Sequence, residues 1–214
     1  MGTGGDLNLS YLKIQIRRAS GESSGKFWMQ PKTILTVWLL SALSIGGSGA
    51  IGTIPAPAIQ GIILVLSVGS FAGYFFVAKI RNDVNAIFPR GILAFHLVRF
   101  VGIYFLALYS QGKLPRSWAV PAGCGDIVIA SFALMLLMVP ELGEDRRWIA
   151  VWNTLGLADI LSVVGTAAWL NINFPGQLSE LTHLPLVLLP LFVVPIVIST
   201  HVITFYLLAS KPAA

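Results

Sequence analysis

Residues 91–109 read GILAFHLVRFVGIYFLALY. This run carries two basic side chains, His96 and Arg99, and no acid. A helix needs about 20 predominantly apolar residues to cross the hydrocarbon core of a bilayer. The run has that length, and it begins just after Pro89. Five further stretches qualify on the same ground, roughly residues 33–51, 58–78, 118–139, 148–170 and 184–209. Prolines mark several of the boundaries: Pro55 and Pro57 precede the second run, and Pro140 follows the fourth. Trp28, Trp118, Trp148, Trp169 and Tyr206 lie near run ends, as in an interfacial aromatic belt.

The whole chain agrees with this reading. It has 214 residues, 56% hydrophobic and 11% charged, with mean hydropathy +0.80. Soluble domains carry about 25% charged residues. A soluble fold this poor in charge leaves apolar surface facing water, so the expected solvent is lipid. The predicted fold is an all-α integral membrane bundle of about six transmembrane helices, with both termini on the cytoplasmic side.

Orientation follows from lysine and arginine in short loops. One side holds Lys13, Arg17, Arg18, Lys26, Lys32, Lys79, Arg81, Arg90, Arg146, Arg147 and Lys211, whereas the other holds Lys113 and Arg116. The net charge of +5 therefore reads as topology rather than as a nucleic-acid surface. The expected location is a bacterial-type inner membrane. All loops are short, which leaves no room for a soluble catalytic domain.

Residues 1–32 form a basic cytoplasmic arm, residues 33–209 the membrane domain and residues 210–214 a short tail. In the arm, Leu12, Ile14 and Ile16 alternate with Lys13, Gln15 and Arg17, closer to a strand period than a helical one. A polar segment this long argues against a signal peptide, despite the small residues Ala56 and Ala58 around Pro57. Asp6 stands where N-myristoylation wants Ser or Thr. The sequon Asn8-Leu9-Ser10 falls on the predicted cytoplasmic side. Cys124 is the single cysteine, so no internal disulfide forms.

Residues 47–52, GSGAIG, fit a dinucleotide-binding pattern in letters alone. That pattern needs a strand before it and a helix after it, and here it ends an apolar run. Small residues at Gly47, and Gly69 and Gly73 with Gly61 two turns earlier, read instead as surfaces for close helix packing, most simply within the chain.

Ionisable residues inside spans are costly in lipid and are functional candidates by default. The set is His96 and Arg99 in span three, Asp126 in span four, Asp159 in span five and His201 in span six. Asn153, Ser162, Thr166, Ser199 and Thr204 are neutral helpers. At 1.5 Å per residue, Arg99 and His201 lie about 12 Å from the inner ends of their spans, Asp159 about 16 Å and His96 about 7 Å. Asp126 belongs to the outer half and stands apart unless its span tilts. Arg99 is expected to pair with Asp159, since neither charge sits unpaired in lipid without a large cost.

Three functions follow from these features. The first is a non-catalytic accessory or scaffold subunit, docked in a larger membrane complex through its arm and its glycine-rich helix faces, with lipid and protein as partners. The second is a small proton-coupled solute transporter using Arg99, Asp159, His201, Asn153, His96 and Asp126. Pro185, Pro190 and Pro195 support it by interrupting span six, since broken helices expose backbone carbonyls. The third is a b-type haem electron carrier with His96 and His201 as axial ligands. No H-E-x-x-H or G-x-S-x-G motif occurs, so enzymatic activity is not expected, and no metal-ligand spacing is present.

Overall fold

The computed structural model describes residues 30–210. The alternating segment of the N-terminal arm and the C-terminal tail lie outside the described residues. Within them the chain is helical and contains no strand. Helix α1 is Pro31–Gly47, with its proline at the first helical position, where a missing N–H costs nothing. A 3-10 turn, Ala50–Thr53, leads to α2, Ala56–Phe76. Gly49 between them has φ 73°, a left-handed conformation that glycine adopts without strain. Helix α3, Ala78–Ile87, is short and polar, with Lys79 3.6 Å from Asp83 one turn on.

Helix α4, Arg90–Ser110, corresponds to the run at 91–109. Its middle six residues, His96–Val101, are wound as a 3-10 helix. Helix α5, Arg116–Met138, follows Pro115. A short turn of helix, α6 (Pro140–Glu144), connects it to α7, Arg146–Asn173. The Asp145 side chain caps α7 by accepting from the Arg147 N–H at 2.8 Å. After a second 3-10 turn, Ser179–Thr182, the chain enters α8, Leu189–Ser210.

Five helices are long and apolar enough to cross a membrane: Pro57–Phe76, Arg90–Ser110, Arg116–Met138, Arg146–Asn173 and Leu189–Ser210. The run at 33–51 gives a shorter helix than expected. Gly46, Gly47 and Gly49 end α1 at 17 residues, about 26 Å of helix against a core of about 30 Å. The sixth run also starts later than expected. Residues 184–187 are turns rather than helix, because Pro185 disfavours helix in the residue before it and lacks the N–H a continuing helix needs. The first turn of α8, Leu189–Val193, is π-helical, and regular helix runs from Val194 to Ser210. The three prolines therefore shape the entry to α8 and leave the stretch around His201 unbroken.

The core lies where α4 packs on α5, α5 on α7, α7 on α8 and α8 on α2. Ala119, Ala122, Ala130 and Ala133 are buried along α5 and let its neighbours approach closely. Helix α1 is peripheral. Its Trp38 Nε1 donates to the Leu191 carbonyl at 2.8 Å, and its ring meets Phe192 edge-on. Large apolar side chains stay exposed on the outside of the bundle, among them Phe76, Val65 and Met138. That is the surface expected of helices solvated by lipid.

Candidate functional site

The 3-10 stretch of α4 builds the site. In that winding, side chains at i and i+3 eclipse one another. His96 and Arg99 therefore project in the same direction, into the bundle, and both are buried. Arg99 makes three contacts there. Its Nε donates to Asp126 Oδ1 at 2.6 Å, its Nη1 to the Gly156 carbonyl at 3.1 Å and its Nη2 to Asp159 Oδ2. The expected pairing with Asp159 is present.

Asp126 does not stand apart as the depth count implied, because it is the second carboxylate on the same guanidinium. Two features close the gap. A 3-10 segment rises 2.0 Å per residue instead of 1.5 Å, which carries Arg99 about 2 Å further along α4. Glycines then bring α5 close. A Cβ on Gly123 would stand 2.8 Å from the Gly102 carbonyl oxygen, and one on Gly102 would be 2.9 Å from Asp126 Cβ. Gly125 similarly leaves the space that the Asp159 carboxylate occupies.

A second polar cluster lies across Gly156. A Cβ there would be 2.8 Å from His201 Nε2, so the absent side chain admits the imidazole ring. Asn153 Nδ2 donates to the His201 carbonyl at 3.0 Å, which orients the amide and turns Asn153 Oδ1 toward His201 Nδ1 at 2.8 Å. His201 Nδ1 is then the donor, because an amide oxygen only accepts. Thr200 donates its hydroxyl hydrogen to the Ile196 carbonyl at 2.8 Å and accepts from His96 Nε2 at 3.0 Å. The imidazoles lie 4.3 Å apart between centroids, with Trp152 packed on both. Trp152 Nε1 donates to the Ile129 carbonyl at 3.2 Å. His96 Nδ1, His201 Nε2 and Thr204 Oγ1 are buried without a partner.

The two imidazoles do not stand as the haem expectation places them. Axial histidines must stand on opposite faces of a porphyrin, yet these rings touch each other with no layer between them. Among the described residues no group of three His, Cys, Asp or Glu gathers to hold a metal ion.

A cavity of about 210 Å³ runs from the Arg99–Asp126 end of this site to the two 3-10 turns, Ala50–Thr53 and Ser179–Thr182. Phe105, Trp118, Ile160 and Val163 contribute apolar wall, and Gln60 on α2 adds a polar group. Gln60 Oε1 is buried with no hydrogen-bond partner.

Other expected residues fall outside the site. Ser162 is exposed and donates to the Asp159 backbone carbonyl at 2.8 Å. Ser199 ties α8 to α2 through the Ser67 carbonyl at 2.9 Å. Within the described chain, a Cβ on Gly61 or Gly69 would meet nothing within 4 Å, and Gly47 and Gly73 have ordinary contacts at 3.8 and 3.6 Å. The close helix contacts run through Gly102, Gly123, Gly125 and Gly156 instead. Gln60, Trp152, Thr200 and these glycines were not candidates. Gln60 was visible as a lone amide in an apolar run, and Gly125 by its place beside Asp126.

No curated protein and no solved structure matches the chain. The model of one family, described as Domain of unknown function (DUF8737), matches residues 56–209. That match runs from the start of α2 almost to the end of α8 and includes every residue of the two polar clusters, and the chain belongs to this family.

Proposed function

We propose that the protein is a small, non-catalytic, proton-coupled carrier that admits a solute to the cavity and exchanges charge at Asp126 and Asp159. One observation carries this reading: the cavity ends on a buried ion pair. Apolar walls closing on a charged end form the usual shape of a small-molecule site. One guanidinium faces two carboxyl groups there, so the site is neutral only when it gains one further positive charge. Buried net charge is costly away from water, and a proton is the simplest counter-charge. In the same reading α1 is a sixth span and both termini face the cytoplasm of a bacterial-type cell. The loop charges support that orientation.

Reconstitution tests it. Liposomes containing the protein and a pH-sensitive dye are offered small organic cations, acids and alcohols in turn. At least one solute should move protons faster than in protein-free liposomes, and Asp159→Asn should abolish the difference. If no solute moves protons, the carrier reading fails.

A second reading, an accessory subunit of a membrane assembly, is favoured by one face of α2. Gly61 and Gly69 have open space beside them there, and Leu64 and Val65 are exposed. Small residues at such spacing let a second helix approach. Extraction in mild detergent followed by sizing decides: a lone 23.0 kDa chain with no partner removes this reading.

A further inference from the structure

We infer that the cavity takes a small organic cation of about one ring, bound at Asp126 in exchange for a proton. The inference rests on the carrier reading and names its class of solute.

Size sets the first limit. A cavity of about 150 Å³ with apolar walls accommodates benzene. At about 210 Å³, this one accommodates a single ring with a short polar arm. Phe105 and Trp118 stand in the wall, and aromatic faces attract cations as well as packing against rings.

Charge sets the second limit. The guanidinium of Arg99 is already committed to Asp126, Asp159 and the Gly156 carbonyl. An anionic solute would meet two carboxyl groups with their one counter-charge engaged. A cation supplies the positive charge that the cluster lacks.

Hydrogen bonding sets the third. Asp126 lines the cavity and is 4% exposed. Its Oδ1 accepts from Arg99, and its Oδ2 has no donor among the described residues. Gln60 Oε1 is a second acceptor without a partner. Leaving a buried acceptor such as Gln60 Oε1 unsatisfied is costly, and a solute bearing N–H groups serves it as well as the open Asp126 Oδ2. Proton and cation neutralise the same charge, so each displaces the other. The ionisable groups around Asp126 are Arg99 and Asp159, with His96 and His201 across Gly156.

Benzylguanidinium is a suitable probe because it keeps its charge at neutral pH and carries N–H donors. Phenylacetate and benzyl alcohol are its anionic and neutral counterparts. Equilibrium dialysis against the full chain in nanodiscs should show saturable benzylguanidinium binding that excess phenylacetate does not displace. In weak buffer, binding should release protons. Asp126→Asn should weaken binding about tenfold or more, and Gln60→Leu by a smaller factor. If Asp126→Asn does not fold, charge discrimination by the unaltered chain still decides. The proposal is overturned if phenylacetate binds as tightly as the cation, if the cation does not saturate, or if neither substitution weakens it. Solute-driven proton movement without cation binding would sink the solute class and leave the carrier. Saturable cation binding with no movement in liposomes would sink the carrier and leave the site.

Discussion

Two halves of the bundle meet at Gly156, and they are filled differently. On one side lies the cavity, with apolar walls and one charged end. On the other, Trp152, His96, His201 and Asn153 interlock by ring contacts and hydrogen bonds, and all four are buried. Both halves are built on the same three helices, α4, α5 and α7, with α8 closing them. The difference lies in side-chain size. Ala167 and Val163 on α7 leave space where Trp152 fills it three to four turns earlier. Arg99 stands at the boundary, with one carboxylate toward the cavity and the other, Asp159, partly exposed on the outside of the bundle. The proposed carrier would use that asymmetry: a place for solute on one side, a plug on the other and a charge between them.

The boundary is most directly broken at Arg99. Arg99→Met strands two carboxyl groups in the bundle and should destabilise the protein by about 3–5 kcal/mol, read as a loss of thermal stability in detergent. Replacing Asp126 and Asp159 by Asn in the same chain should recover most of that loss. A single Arg99→Met variant that melts with the unaltered protein would show that the ion pair does not hold the halves together.

Gly156→Ala attacks the seam from its other side. The new methyl runs into the His201 ring, and overpacking of this kind costs about 1–3 kcal/mol. His201→Ala in the same chain should relieve the clash, so the two effects should not add. Strict additivity would mean the ring does not rest on Gly156. Within the filled half alone, Asn153→Ala removes the partner of His201 Nδ1. About 1–3 kcal/mol is expected for leaving that buried donor unsatisfied, again from melting curves.

Much of the fold was legible because lipid imposes it: long apolar runs between prolines became long helices. The exceptions have local causes. Three glycines end α1 early, and Pro185 delays α8. The Arg99–Asp159 pair was legible because each charge in an apolar run demands a partner. Asp126 was misplaced because depth was counted on straight α-helices, and a 3-10 segment with a glycine contact alters both rise and approach. The stripe at Gly61, Gly69 and Gly73 reads as internal packing in the sequence because spacing shows that small residues share a face. It does not show what the face meets. Gln60 and Trp152 are not legible in the sequence for a related reason: a single amide or indole takes its meaning from what surrounds it in three dimensions.

The same added bulk should act differently in the two halves. Ala133 on α5 is buried against the cluster that contains Trp152, whereas Ala167 lines the cavity. Ala133→Leu has nowhere to place its extra carbons and should cost about 1–3 kcal/mol. Ala167→Leu projects into open volume, so its stability should change by less than about 0.5 kcal/mol, while solute-driven proton movement falls. Equal destabilisation by both would mean that the cavity is closed in the folded protein in its membrane. An unchanged melt with unchanged proton movement would mean that the space is real but carries no solute.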